Sequence, residues 1–140
     1  MDAQPADRNR TQAQLVGDAA EALVVDRLAA AGWAVLARNV HVGRHELDLV
    51  AVDPGPPRQL VVVEVRSRGS REYGTGEETV DHRKRRRVRT ATWALIQLRR
   101  LPDGTPLPEL PVRFDLVVVE PGEPGNPGRH AAFRHHRAAF

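Results

Sequence analysis

Glu46 and Asp48 interrupt the apolar run HELDLVAVD, and Glu64 interrupts LVVVEVRS, with Arg66 two residues further on. Successive strand residues point to opposite faces. Glu46, Asp48, Val50 and Val52 are therefore expected on one face of their strand, and Leu60, Val62, Glu64 and Arg66 on one face of the next. The intervening PGPPRQ cannot continue a ladder, so the two strands should be antiparallel neighbours. A turn that pairs Asp53 with Gln59 would set Asp48 opposite Glu64 and Glu46 opposite Arg66. Side chains so opposed have Cβ atoms about 4.5–5.5 Å apart. Two negative charges ~5 Å apart, at an effective dielectric of about 20, repel by roughly 3 kcal/mol. A divalent cation between them turns repulsion into chelation, and Mg²⁺ commonly takes one or two carboxylates and completes its shell with water. The alternative is that each acid meets a nearby arginine at a strand end and faces solvent. An acid pair followed on the same face by a cation favours a site, because ionisable groups in unfavourable surroundings tend to mark function.

The elements that must position these residues follow from periodicity and punctuation. Residues 15–31 are alanine-rich with apolar residues at helical spacing, and Gly32 supplies a C-terminal stop. Residues 33–40, 46–53 and 60–67 read as three strands, the last β-branched enough to be central. The segment from Arg68 to His82 holds Gly69, Gly74 and Gly76 and reads as a loop. A helix is predicted over 80–100, with Val88, Ala91, Thr92 and Leu95 at i, i+3, i+4 and i+7. Residues 112–120 make a fourth strand. Residues 1–10 read as a disordered tail, 11–120 as one domain, and the proline- and glycine-led 121–140 as a loose tail. The order helix, three strands, helix, strand predicts an α/β domain, a mixed sheet covered by helices on both sides.

Composition narrows the chemistry. A chain of 140 residues with 41% hydrophobic and 28% charged residues is enough for one core. The absence of cysteine excludes disulfides and thiolate metal sites. No apolar run approaches a membrane span and the polar N-terminus is no secretory signal, so a cytoplasmic, non-membrane protein is expected. The net charge of +3 says less than its distribution, since six of the seven residues from Arg83 to Arg89 are cationic. Such a run can hold phosphates or be a solvated helix face. Lys84, within it, is the only lysine among 21 cations. Arg68, Arg71 and Tyr73 could track a backbone or stack on a base. The histidines, including His135 and His136 in the tail, suggest no site, and no Ser/His/Asp ordering, P-loop or dinucleotide fingerprint is present.

Taken in order, these segments resemble a known superfamily. HELDLVAVD, a short turn and VVVEVRSR resemble the PD-(D/E)xK nucleases, and more closely an uncharacterised bacterial YraN-like family distantly similar to archaeal Holliday-junction resolvases. Glu21 twelve residues before Trp33, Arg38-Asn39, Lys84 and RFDLVVV at 113–119 extend the likeness from about Gly17 to Val119. The resemblance implies a restriction-endonuclease-like fold and hydrolysis of DNA phosphodiesters by metal-activated water. It makes Asp48 and Glu64 the Mg²⁺- or Mn²⁺-binding acids, Glu46 a secondary acid, Arg66 the catalytic cation and Glu21 a helix acid reaching toward the metal. Lys84, Arg83, Arg87, Arg68, Arg71 and Tyr73 would then contact nucleic acid. The superfamily usually has lysine where this chain has Arg66, and arginine cannot lose a proton to act as a base. A non-catalytic nucleic-acid-binding module on the same fold is the alternative, and a scaffold whose basic helix meets an acidic protein is a third. A homodimer would suit junction-like substrates.

Overall fold

The computed structural model describes residues 12–67, 82–120 and 132–140. Helix α1 (Gln12–Ala30) is followed by strands β1 (Ala34–Val42), β2 (His45–Asp53) and β3 (Gln59–Ser67), helix α2 (His82–Leu98), and strands β4 (Val112–Glu120) and β5 (Ala132–His136). The strands form one sheet in the order β1-β2-β3-β4-β5. All neighbours are antiparallel except β3 and β4, which run parallel. This is the expected α/β arrangement, a mixed sheet between two helices, compatible with a restriction-endonuclease-like fold. Among the described residues no helix is long and apolar enough to cross a membrane.

Local chemistry sets the boundaries. Helix α1 ends because Gly32 takes a φ of +91°, a conformation without penalty only where there is no Cβ. The Trp33 amide then donates to the Leu28 carbonyl and the Gly32 amide to Ala29, both at 3.0 Å, which satisfies the last carbonyls of the helix. Beyond β2, the Asp53 carboxylate accepts the Gly55 amide at 2.9 Å and so opens the turn to β3. Within α2, the buried Thr92 hydroxyl donates to the Val88 carbonyl at 2.7 Å, so its burial strands no polar group.

The sheet is buried on both faces. On one, Val88, Ala91 and Leu95 of α2 pack against Val50, Val52, Leu60, Val62 and Phe114. On the other, Ala20, Val24 and Leu28 of α1 meet Leu49, Ala51, Val61, Val63, Val65, Val117 and Val119. Strand β3 sits in the middle of the sheet and contributes to both cores, so its apolar run from Leu60 to Val63 is required. Each fully buried valine or leucine there contributes about 1.5–3 kcal/mol relative to exposure.

Two expectations are corrected. The segment after 120 is not loose throughout: Ala132–His136 pair with β4 from Glu120/Ala132 to Leu116/His136. The pattern of that strand is short and mixed, and its burial comes from contacts with distant residues. Residues 1–11, 68–81 and 121–131 lie outside the described residues, and with them the expected N-terminal tail and glycine-bearing loop. The second correction concerns alternation. In β2, Leu47 joins Val50 and Val52 on the α2 side while Leu49 and Ala51 face α1. Opposite, Val40 and Ala37 both pack toward α2, although they lie three positions apart. An odd spacing on one face means that the alternation of both paired strands slips at the level of Asn39 and Asp48. Asn39 permits it by adopting a φ of +48°, a left-handed conformation that asparagine tolerates better than most residues.

Candidate active site

Strands β2 and β3 pair from Asp53/Gln59 to Leu49/Val63, the predicted register, and the ladder stops there. The next level holds Asp48 and Glu64. The Asp48 carboxylate accepts the Val65 amide through Oδ2 at 2.9 Å, occupying a backbone donor at the level where the ladder has ended. A side chain thus sits at the fork between two strands.

Glu64 is completely buried, 0% exposed, and neither of its oxygens receives a protein N–H or O–H. Its contact with the Asp48 carboxyl becomes a hydrogen bond only when one of the two acids carries a proton. Two cations stand by. The Lys84 Nζ of α2 lies 3.5 Å from Glu64 Oε2, and Arg66 Nη2 lies 4.0 Å from the same oxygen. Burial, first, and the charge of Asp48, second, push the Glu64 carboxyl up to about 8, against the opposing pull of Lys84 and Arg66. The slip in β2 separates Glu46 from this pair. Glu46 is exposed, stands opposite His41 of β1 and does not meet Arg66 as the extrapolated register required, because the β2–β3 ladder has already ended. It shares Asn39 with Glu21: with its amide nitrogen turned to the two acids, Asn39 donates to Glu21 Oε1 at 3.0 Å and Glu46 Oε1 at 3.2 Å. Burial raises the Glu21 carboxyl to about 7, Asp48 and Glu46 adding to the rise and Arg38 opposing it.

Glu21, Glu46, Asp48, Glu64, Arg66 and Lys84 therefore gather around one end of β2 and β3, linked by these contacts. Arg83 and Arg87 are exposed on α2, while Arg85 and Arg89 lie over the rings of Phe140 and Phe114 at 6.0 and 5.7 Å. The basic run is thus shared between solvent, aromatic rings and the site. Arg68, Arg71 and Tyr73 fall outside the described residues. Among the described residues no three Asp, Glu or His side chains close on one point as a complete cage would. Mg²⁺ does not need one, since it keeps several waters beside one or two carboxylates. The hard oxygens of Asp48 and the donor-free oxygens of Glu64 fit that requirement. Sequence reasoning gave Asn39 no role of its own, although an asparagine inside a strand is itself a signal.

A second polar cluster runs from the Asp53/Gln59 end of β2 and β3 to Asp115 in the middle of β4, which pairs with Val63. Asp115 of β4 is 0% exposed. Arg113 grips it through Nε and Nη2 at 2.9 and 2.8 Å, His135 Nε2 lies 2.8 Å from Oδ2, and the Ala138 amide donates at 3.0 Å. Arg113 also reaches Asp53 Oδ2 at 2.9 Å and Gln59 Oε1 at 2.7 Å, and stacks 5.5 Å from the Trp33 ring. His135, assigned no site when its segment was read as tail, is part of the buried clasp that fastens β5. Burial alone would raise the Asp115 carboxyl, but hydrogen bonds from His135, Arg113 and the Ala138 amide outweigh it and hold the group at about 2. Asp53 is lowered as well, burial being outweighed by the Gly55 amide, Arg113 and Arg137. A depressed carboxyl contributes stability that is complete above its unfolded value and is lost as pH falls toward its folded one. The contribution of Asp115, about 2 kcal/mol, is therefore expected to hold down to about pH 4 and then to be lost toward pH 2, giving denaturation midpoints an acid limb below pH 4. Asp115→Asn should flatten that acid limb, and an unchanged limb would refute the assignment.

Comparison with known proteins agrees with the extent of this fold. The model of the uncharacterised protein family UPF0102 matches residues 20–119, from α1 through β4. A UPF0102 protein of Symbiobacterium thermophilum is 44% identical over 110 residues, covering 79% of this chain and 86% of its own length. A UPF0102 protein of Bordetella petrii is 42% identical over 110 residues, covering 78% of this chain and 65% of its own length. A third, of Bifidobacterium longum, is 36% identical over 115 residues, covering 81% and 86%. The matched segment contains the fork, its acids and both cations, and the chain belongs to the UPF0102 family.

Proposed function

We propose that this chain is a metal-dependent, endonuclease-like hydrolase of DNA phosphodiesters, a PD-(D/E)xK-type enzyme using Mg²⁺ or Mn²⁺, with branched and single-stranded DNA among its substrates. The observation that supports this reading is the meeting of Asp48 with a fully buried, donor-free Glu64 where β2 and β3 part, beside two cations. Asp48 and Glu64 would hold the cation, which when bound supplies an acidified water and charge neutralisation at phosphorus. Asn39 would keep Glu21 and Glu46 turned toward the same region. Arg66 offers permanent positive charge to a phosphoryl oxygen. Arg83 and Arg87, with Arg68, Arg71 and Tyr73, would engage the strand, and a homodimer would present two such sites to a two-fold junction.

The test is cleavage of a panel of single-stranded, duplex, flapped and four-way DNAs with Mn²⁺. Asp48→Ala or Glu64→Ala is expected to reduce cutting at least ~100-fold; cutting that survives both substitutions sinks the reading. The strand cation being arginine favours a second reading, a nucleic-acid-binding module that does not cut. It is selected if strands stay intact while binding weakens steeply with added salt.

A further inference from the structure

We infer that Lys84 of α2, rather than Arg66 of β3, is the catalytic cation of this site, the group that contacts the scissile phosphate. The inference rests on reading Asp48 and Glu64 as the metal-binding pair.

Both cations approach one atom, Glu64 Oε2, but they do so from different elements. Lys84 is the nearer, at 3.5 Å against 4.0 Å, and reaches the carboxylate from the helix that covers this face of the sheet. An ammonium on a four-carbon stem has three donors that can be redistributed, so it can keep Glu64 as one partner and offer another donor to a phosphoryl oxygen. Its side chain retains 30% exposure, so the group that touches the fully buried acid also has access from outside. Arg66 is placed less well for that task. Its side chain is similarly exposed, at 26%, but its Nε is buried without a hydrogen-bond partner, so the planar fork has less freedom than an ammonium to redistribute its donors. In its own strand Arg66 also pairs with Val118 of β4, which fixes where its stem begins. The sole lysine of the chain thus stands, in space, where the sequence pattern puts an arginine. This is a different role from a phosphate contact along the basic run: Arg83 and Arg87 are exposed, whereas Lys84 approaches the acid.

The test compares Lys84→Met, Lys84→Arg and Arg66→Met in single-turnover cleavage with Mn²⁺, in binding of an uncleaved strand without metal, and in metal-free denaturation. Lys84→Met is expected to slow cleavage about 100-fold while strand binding changes less than about threefold. Lys84→Arg should recover at least a tenth of the rate, and Arg66→Met should cost less than Lys84→Met. In metal-free denaturation, Lys84→Met and Glu64→Gln should be non-additive, as contacting partners are. Loss of strand binding with an unchanged cleavage step would reduce Lys84 to a phosphate contact and overturn the inference. So would a larger loss from Arg66→Met, with the metal-dependent reading left standing. A parent chain that cuts no DNA and binds no Mn²⁺ overturns both.

Discussion

Glu64→Gln should unfold at a higher temperature than the parent chain in metal-free buffer, and should lose the stabilisation that Mg²⁺ or Mn²⁺ confers on the parent. Glu64 is fully buried beside Asp48, and no N–H or O–H satisfies its oxygens. Ionised, it meets a like charge at the next level of the sheet, a repulsion of roughly 3 kcal/mol before Lys84 and Arg66 offset part of it. The amide removes the charge at nearly constant volume, for a net gain of about 2 kcal/mol, or ~5–10 °C for a domain of this size. The sign with pH follows from the direction of the shift. A carboxyl raised to about 8 binds more protons folded than unfolded, so the parent loses stability as pH rises from its ordinary value through the raised one. The advantage of glutamine should be greatest above pH 8 and vanish near pH 4. A cation at a hundred times its Kd stabilises the parent by about 2.7 kcal/mol, and that increment should be absent from Glu64→Gln. Scanning calorimetry with and without Mn²⁺ measures both. A variant less stable than the parent at pH 8, or one that keeps the metal increment, contradicts the account.

Asp115→Ala is expected to be the most damaging substitution outside the apolar core. The buried carboxylate is the shared acceptor of Arg113, His135 and the Ala138 amide, and removing it takes that acceptor from all three. Breaking a buried ion pair by deleting one partner typically costs about 3–5 kcal/mol. Arg113 keeps Asp53 and Gln59, so the lower end of that range applies, about 3 kcal/mol. The loss should be local before it is global. Among the described residues strand β5 pairs with β4 alone, and its His135 is anchored on Asp115, so amide exchange of residues 133–136 should accelerate more than that of β3. A loss below ~1 kcal/mol, or uniform exchange, would show that the clasp is not what holds β5.

The elements that carried their own periodicity were legible from sequence. The fourth strand falls at 112–120 as expected, α1 and α2 differ from expectation at their ends, and the turn chemistry of PGPPRQ was enough to place Asp53 against Gln59. The central place of β3 followed from its valines. What could not be read depended on partners distant in the chain. Strand β5 has no strong alternation and owes its order to β4 and to Asp115, 20 residues before His135. The slip at Asn39 and Asp48 depends on one left-handed residue, and strict alternation therefore put Glu46 on the wrong face. Lys84 was visible as a lone lysine, but its approach to Glu64 depends on how α2 docks across the sheet. The acid pair itself was readable because carboxylates in an apolar strand are anomalous at the level of composition.

Strands β2 and β3 carry an ionic cluster at each end, Asp48 and Glu64 at the fork and Asp53 and Gln59 at the clasp. Asp48 and Asp53 lie five positions apart in β2, a span of roughly 16 Å. Groups so far apart, without common partners, act on stability independently. The Asp53 rim of the clasp is thus a counterweight: a lineage could retune the charged fork, at some cost in folding free energy, and recover the loss by tightening that rim without disturbing the chemistry.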